Sequence, residues 1–299
     1  MLRFLMTTSM LMTLHVCMCQ LVPFRTYTKG EKFEYMITTE SLRNGKSSGK
    51  HVAISTHAVD IDSSGAFAEN ITWRSKAIQS ADKNVILDSV AQKVSAYRVS
   101  LSAAGRVLLP KLDNPEMIGE ITDLNTFYVA VSPALNVHKL SSKTSFLKNP
   151  EIREGNFADS IRILFGKDCL AVSQQLLEKS DSFVVVKTMF SPPGRACLKL
   201  MIPDSLNRAD SVNFQMIQKG DKGKVNYFWG VETFEITTKL SRRTGKILDA
   251  NMLNELQLTM LYNCSPDLKT FDAKLPMTIK RTIQLSLLNS SGSSSGLLE

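Results

Sequence analysis

The sequence predicts a mainly β protein of the α+β class, with curved antiparallel sheets in two similar halves and one or two amphipathic helices packed on them. Large and polar side chains alternate along several segments, which is typical of strands with one buried face. Short polar turns separate these segments, and such short connections join antiparallel neighbours, because parallel strands need crossovers of a dozen or more residues. One further segment repeats its apolar residues at three- and four-residue steps, which indicates an amphipathic helix.

The first β-rich half is predicted over residues 20–145. Phe33 and Tyr35 share one face of its opening strand, because side chains two apart point to the same side of a sheet. A second strand runs over residues 52–61 and turns back into a third strand that contains Trp73. This succession of strands and short turns predicts an antiparallel meander.

The helix of the first half is predicted over residues 115–130. Asn114 is a favourable N-cap residue, and Pro115 suits the first helical position, where its missing N–H does least harm. A second helix is predicted over 157–179, again from apolar residues at helical spacing. It lies within a helical or irregular connector over residues 146–185.

The second β-rich half is predicted over residues 186–288 and contains the aromatic pair Phe228 and Trp229 in a long strand pair. Pro276 stands near the start of the last strand, where its missing N–H is tolerated. Residues 289–299 are predicted to be a flexible tail, because the Ser- and Gly-rich stretch offers little apolar surface to bury.

An internal repeat is predicted from two similar turns. Residues 101–108 and 240–248 both contain a leucine and serine, then a glycine, then an apolar strand start, with one extra residue before the glycine in the second copy. Each follows a glycine turn and an aromatic strand in the same order. The alternative is that these are two ordinary β-hairpins.

The N-terminus predicts export. Residues 1–19 have one early positive charge, a short apolar run and small residues before Gln20, which is the layout of a secretory signal peptide cleaved near Cys19–Gln20. The apolar run is too short to span a bilayer. A lipid anchor on Cys17 or Cys19 is the alternative. The predicted location is periplasmic, outer-envelope or extracellular.

Composition and charge limit the classes of binding partner that the sequence predicts. The formal net charge is +8 and 43% of the residues are hydrophobic, which is ample for a packed core. The basic residues are scattered, whereas a nucleic-acid surface would cluster them on one element, so no nucleic-acid partner is predicted. A mildly cationic surface leaves attraction to anionic surfaces open.

Three cysteines remain after the predicted cleavage, and an oxidising compartment favours one disulfide. Spacing does not choose between the three pairings. We take Cys169–Cys197 as the candidate, because a helix and the following strand could bring them together. Cys264 would then be free or pair between chains. No zinc-ligand spacing is present, so no metal is predicted.

The usual motifs of nucleotide-binding and hydrolytic enzymes are missing from the sequence, so it predicts no catalytic residue and no cofactor. His51 and His57 share a strand face but lie too far apart for one metal ion, and both are predicted to face solvent. His138 is predicted to be a structural loop residue. Asp60 and Asp62 are predicted to belong to a turn rather than to an acid–base pair.

The segment Tyr27–Tyr35, the two turns of the repeat, and Leu275–Arg281 resemble exported bacterial proteins of unknown function built from two β-rich halves. The layout over residues 25–288 also resembles the lipoprotein-carrier (LolA/LppX-like) half-barrel family. That resemblance implies an apolar cavity under the sheet that could hold an acyl chain.

The sequence therefore predicts a non-enzymatic exported protein that binds an apolar ligand or lipid between sheet and helix. Six aromatic side chains are the candidate lining of that site: Phe33, Tyr35, Trp73, Tyr97, Phe228 and Trp229. Two alternatives stay open, a structural or interaction protein of the cell envelope and a hydrolase whose site is not visible in sequence.

Overall fold

The computed structural model describes residues 21–61, 65–80, 83–108, 110, 112, 114–140, 146–149, 161–163, 170–192, 198, 200, 202, 212–220 and 223–288. Over these residues the chain is mostly strand, with one main helix. The strands are β1 (Lys32–Arg43), β2 (Lys46–Ile61), β3 (Phe67–Gln79), β4 (Asn84–Ile86), β5 (Tyr97–Val99), β6 (Phe146–Asn149), β7 (Ile161–Ile163), β8 (Ala171–Lys179), β9 (Phe183–Ser191), β10 (Phe214–Lys219), β11 (Val225–Ser241), β12 (Ile247–Cys264) and β13 (Ala273–Leu288). The helices are α1 (Asp88–Ala91) and α2 (Ile118–Ala130).

The described strands form one antiparallel sheet in the order β4-β3-β2-β1-β13-β12-β11-β9-β8-β6, with β5 on β3, β10 on β11 and β7 on β10. The first and last long strands are neighbours: β1 pairs with β13 from Glu34 opposite Leu288 to Arg43 opposite Ile279. Strands from both predicted halves therefore share a single sheet. The similarity of the two halves stays a prediction.

The sheet curves around α2, as two contacts between the helix and strands far apart in the sheet show. Lys76 on β3 binds Glu120 of the helix, while the Gln174 amide on β8 donates to the carbonyl oxygen of Ala130 at 2.8 Å. In a flat sheet β3 and β8 would lie about 34 Å apart. Glu120 and Ala130 are ten residues apart on α2, which is only about 15 Å along the helix axis. One helix can touch both strands only if the sheet curves around it.

The helix predicted over 115–130 is confirmed. A 3-10 turn at Pro115–Met117 leads into α2, and the Asn114 side chain accepts a hydrogen bond from the Glu116 N–H at 3.2 Å. The apolar residues of α2 are buried in the main core: Ile121, Leu124, Phe127, Tyr128 and Ala130. Three polar residues of the helix are buried too, so it has no fully solvated face: Glu120, Asp123 and Asn125.

The helix predicted over 157–179 is wrong wherever the structure describes it, because Ile161–Ile163 and Ala171–Lys179 are strands. The described part of the connector predicted at 146–185 likewise consists mainly of strands. Val172, Gln174 and Leu176 all point inward from β8, which is a period of two. Val172 and Leu176 are four residues apart, a spacing that fits a strand as well as a helix. The spacing alone could not separate the two.

The described segment before β1 is part of the fold. The backbone N–H of Arg25 donates to Leu101 and that of Thr26 donates to Thr244, so residues 25–26 run between the two similar turns that suggested a repeat. Gly245 packs against this segment. Within the described ranges, no helix has the length and apolar character that a membrane span requires.

Candidate functional site

The inner face of the curved sheet carries three polar or apolar regions in sequence along the strands. The first is a buried network around His57, the second a polar cleft beside the start of α2, and the third an apolar region that we call the methionine patch. Each region lies beside the next on this face.

The buried network joins two strands to the helix. His57 Nε2 lies 2.9 Å from Ser55 Oγ, and His57 Nδ1 lies 2.9 Å from Glu69 Oε2. The Tyr128 hydroxyl of α2 donates to the same carboxylate and lies 3.2 Å from His57 Nδ1. The ring of Phe33 stacks on the imidazole with centroids 5.1 Å apart. The network therefore holds the second half of α2 against β2 and β3.

Arg25 supplies the positive charge of this network. Its guanidinium lies 3.7 Å from Glu69, 2.8 Å from Glu31, and over the ring of Tyr27. Burial alone would raise the pKa of Glu69, but the hydrogen bond and charge of His57, with help from Tyr128 and Arg25, hold that pKa below its ordinary value. Glu69 is therefore an ionised carboxylate inside the core.

Ser55, His57 and Glu69 have the hydrogen-bond order of a hydrolytic triad. All three residues are nevertheless at most 1% exposed, and Tyr128 and Phe33 pack over them. Ser55 lines neither the polar cleft nor the small cavity beside Arg25. A nucleophile needs space for its substrate, so this arrangement supports a structural role for the network.

The polar cleft has a volume of about 350 Å³ and opens beside the first turns of α2. Its lining combines hydroxyls with charges of both signs: Thr39, Ser41, Ser48, His51, Lys76, Glu116, Gly119, Glu120, Asp123 and Arg281. The side chains come from β1, β2, β3, β13 and the helical segment. The wrapped sheet thus brings together residues that are far apart in the sequence.

Glu120 is the first ion-paired carboxylate of the cleft. Its Oε1 lies 2.7 Å from Lys76 Nζ and 3.4 Å from His51 Nδ1. Burial would raise its pKa, but the hydrogen bond from His51 and the charge of Lys76 lower it below the ordinary value. Lys76 also donates to the backbone oxygen of Glu116. These contacts attach the start of α2 to β2 and β3.

Asp123 is the second ion-paired carboxylate, one turn further along the helix. It binds the Arg281 guanidinium of β13 and lies 3.4 Å from the Thr39 hydroxyl of β1. Burial raises its pKa more than the charge of Arg281 lowers it. This contact attaches α2 to the central strand pair of the sheet.

Glu232 on β11 is another buried carboxylate on the inner face of the sheet. Its side chain accepts a hydrogen bond from Asn254 Nδ2 at 3.0 Å, while Asn213 binds its backbone N–H and carbonyl. Burial raises the pKa of Glu232 to about 7. The Asn254 hydrogen bond and the charge of Arg281 act in the opposite direction, and the charge of Asp123 raises it further.

The methionine patch follows directly along the strands. Ile279 stands two residues before Arg281 on β13, and Leu256 two residues after Asn254 on β12, so each shares the inner face with its polar neighbour. The buried members are Phe214, Phe228, Leu256, Leu258 and Met277, and the partly buried members are Met216, Met260 and Ile279. Along β12 and β13, the inner face therefore changes from polar or charged to apolar between one inward-facing residue and the next.

The six predicted aromatic lining residues are all buried, but the structure does not bring them together. Four pack in the main core with α2: Phe33, Tyr35, Trp73 and Tyr97. Phe228 belongs to the methionine patch. Trp229 points to the opposite side of β11, in a third cluster with Tyr227 and Leu261.

The histidine predictions need correction. His57 was expected to face solvent but is completely buried, and His51 is half-buried beside Glu120. The two do share a strand face, and that face is the inner one. His138 packs on Phe24. Asp60 is an exposed residue near the end of β2, and its carboxylate accepts a hydrogen bond from the N–H of Ile61.

Cys264 is buried and carries a free thiol, which donates to the carbonyl oxygen of Leu261. Cys169, Cys197 and the predicted signal peptide lie outside the described residues, as does Asp62. Within the part of the chain that is described, no group of three His, Cys, Asp or Glu side chains could hold a metal ion.

Sequence reasoning missed the charged residues of the inner face. Glu69, Glu120, Asp123, Glu232 and Arg281 are acidic or basic residues within strands or a helix, and each looks like an ordinary surface charge. The available signal was their position in the alternation. Arg281 and Glu232 each fall in step with the inward-facing apolar residues of their strands.

Comparisons with known proteins give no family. No family model matches the sequence, and no curated protein sequence matches it. A structure of lipovitellin, solved for its lipid–protein interactions, aligns with 91% of this chain at 12% identity and a TM-score of 0.39. The chain spans only 27% of that lipovitellin chain.

Two bacterial structures align less closely. The outer membrane protein OmpT of Vibrio cholerae covers 87% of this chain and aligns over 100% of its own, at 6% identity and a TM-score of 0.24. The MucA/MucB complex of Pseudomonas aeruginosa covers 87% of this chain, with 89% of its own, at 9% identity and a TM-score of 0.16. All three scores are below 0.5, so these alignments do not establish a shared fold. The resemblance to the lipoprotein-carrier family remains a prediction.

Proposed function

We propose that this protein is an exported, non-enzymatic binding protein for an amphiphilic ligand, such as a lipid, on the inner face of its curved sheet. The observation that carries the proposal is the direct succession of the polar cleft and the methionine patch along β12 and β13. An amphiphile presents the same two chemistries in the same succession. Its polar end would lie in the cleft and its apolar end along the patch.

The patch is suited to apolar ligands of variable shape. Methionine side chains are unbranched and polarizable, so they adapt to irregular partners. Met216, Met260 and Ile279 are only partly buried, and Leu275 on the same strand is 43% exposed. These side chains form the accessible rim through which a ligand would enter.

The proposal differs from the site expected from sequence. The space under the sheet is filled by α2 and by four of the six aromatic residues. The proposed ligand therefore lies beyond the start of the helix, where Arg281 and Ile279 meet, and not between helix and sheet. The cleft volume is within the usual range of about 300–1,000 Å³ for small-molecule sites.

A binding experiment tests the proposal. The neutral fluorescent probe N-phenyl-1-naphthylamine is titrated into the full chain, and the same is done for Ile279→Lys and Thr282→Lys. Ile279 lies on the rim of the patch, whereas Thr282 is exposed on the outer face of the same strand. We expect Ile279→Lys to weaken probe binding about tenfold or more and Thr282→Lys to leave it unchanged.

Native mass spectrometry of protein purified from its own host gives the second readout. Proposed binding predicts a co-purified mass that Ile279→Lys loses and Thr282→Lys retains. Absence of both a bound mass and probe binding would contradict the proposal, and so would equal effects of the two substitutions.

A further inference from the structure

The buried charges beside the cleft do not balance. Three carboxylates, those of Glu120, Asp123 and Glu232, are at most 7% exposed. In the described part of the chain the permanent cations among them are Lys76 and Arg281. Lys76 binds Glu120 and Arg281 binds Asp123. One negative charge is left, and an ionised carboxylate inside a protein is costly without a counter-charge.

Glu232 carries that excess charge. The side-chain hydrogen bond that it accepts comes from a neutral amide, Asn254, and Asn213 binds its backbone instead of its carboxylate. The charge of Arg281 reaches Glu232, but the hydrogen bond of that guanidinium is made to Asp123. A bound proton is the simplest way to remove the excess charge.

We propose that Glu232 is a proton-binding site that regulates the binding face. With Glu232 protonated, Arg281 stays on Asp123 and the start of α2 stays attached to β13. With Glu232 ionised, its carboxylate competes with Asp123 for the guanidinium, and the start of α2 loosens. The effect on ligand uptake rests on the proposed function, because Arg281 borders both the cleft and the methionine patch.

The surrounding groups set the pH window. Charged and titratable side chains reach this region from β13, α2, β2 and β3: Arg281, Asp123, Glu120, His51 and Lys76. The polar neighbours on β1, β12 and before β10 are uncharged: Thr39, Asn254 and Asn213. The raised pKa of Glu232, about 7, places the change near neutral pH. We call the state with the start of α2 attached to β13 closed and the loosened state open. With a Glu232 pKa of about 7 in the closed state and an ordinary pKa in the open state, the ratio of open to closed molecules rises on the order of tenfold between about pH 5.5 and 8.

Hydrogen exchange of the full chain tests the proton site without any ligand. After correction for the intrinsic rate, exchange of the first two turns of α2 is expected to rise about tenfold from pH 5.5 to pH 8. Glu232→Gln, which mimics the protonated side chain, should remove that rise. Glu255→Gln is the matched control, because Glu255 pairs with Lys280 on the outer face of the next strand.

Asp123→Asn provides an independent variant. It removes the charge that holds Arg281, so the helix start should exchange fast at both pH values. Equal corrected exchange of the unmodified protein at the two pH values would overturn the proton site. A rise that persists in Glu232→Gln would overturn the assignment to this residue.

Probe titration separates the two proposals. N-phenyl-1-naphthylamine should bind on the order of tenfold more tightly at pH 8 than at pH 5.5, and the difference should vanish in Glu232→Gln. Binding with no pH dependence would overturn regulation while leaving the proposed function intact. No probe binding at either pH, together with no co-purified mass, would overturn the proposed function, and the exchange data alone would then decide the proton site.

Discussion

Glu69 on β3 accepts hydrogen bonds from the neighbouring strand and from the helix: its Oε2 lies 2.9 Å from His57 Nδ1 of β2 and also binds the hydroxyl of Tyr128 in α2. These contacts attach α2 to the sheet at the second half of the helix, while Asp123 and Arg281 attach its first half. The helix is therefore held at two polar points inside an apolar core. Each point gives a separate test.

Removing the Glu69 carboxylate should be severely destabilising. Glu69→Ala leaves the buried Arg25 guanidinium and His57 without the carboxylate that both face, and breaking a buried charge pair costs about 3–5 kcal/mol. Glu255→Ala breaks an exposed pair with Lys280 and should cost at most about 1 kcal/mol. Urea unfolding followed by far-UV circular dichroism measures both. Equal losses of unfolding free energy in the two variants would contradict the importance of burial for the Glu69 pair.

The Tyr128 hydroxyl should contribute by a smaller amount. Tyr128→Phe keeps the ring in the core and removes one hydrogen bond to a charged acceptor, which is worth about 1.5–3 kcal/mol. Tyr262→Phe is the control, because Tyr262 is 48% exposed. Its effect should be within about 0.5 kcal/mol of zero. A neutral Tyr128→Phe would show that the hydroxyl does not help to hold α2.

Stability should fall on both sides of mildly acidic pH. Glu69, Glu120 and Glu31 have lowered pKa values when folded, so their contribution is present above their ordinary pKa and is lost as pH falls. The pKa of Glu232 is raised to about 7, so its contribution is full below the ordinary value of 4.5 and is lost as pH rises towards 7. The maximum is therefore expected near pH 5.

Glu232→Gln tests the alkaline side of that curve. The substitution removes the cost of an ionised buried carboxylate, which is up to about 3 kcal/mol for a shift of this size. Urea midpoints should rise relative to the unmodified protein at pH 8 and change little at pH 5. A lower midpoint at pH 8 would mean that the ionised carboxylate is better paired than proposed.

Gly245 should be required for docking of the segment around Phe24 and Arg25, which precedes β1. Its φ is +66°, and a Cβ at this position would lie 2.6 Å from the carbonyl oxygen of Phe24. Gly245→Ala therefore combines backbone strain with a clash. Gly30 also has a positive φ, +80°, but a Cβ there would meet nothing within 4 Å. Gly30→Ala should cost about 1 kcal/mol and Gly245→Ala clearly more.

Limited proteolysis completes that test. A clash at Gly245 should release the segment around Phe24 and Arg25 and make it a preferred cleavage site. Gly30→Ala should leave it protected. Protection in both variants would show that the segment does not depend on the turn at Gly245.

Local features of the chain were sufficient to predict most of its elements. The alternation at Phe33 and Tyr35, the turn around Gly245 and the cap at Asn114 each depend on neighbours within a few residues, so the β-rich class and α2 could be inferred from them. The segment at 171–179 could not, because apolar residues four apart satisfy both a strand and a helix. Pairing with β9 made it a strand.

The binding face depends on contacts that no local pattern contains. Arg281 and Asp123 are 158 residues apart, and Glu69 and Tyr128 are 59 apart. Whether a charged residue in a strand faces water or the core depends on what packs over that strand. Here it depends on the sheet curving around α2, with β1 and β13 as neighbours. The curvature of the sheet around α2 buries His57. It also gathers charged residues that are far apart in the sequence into one cleft, because it places the helix against strands from both ends of the chain.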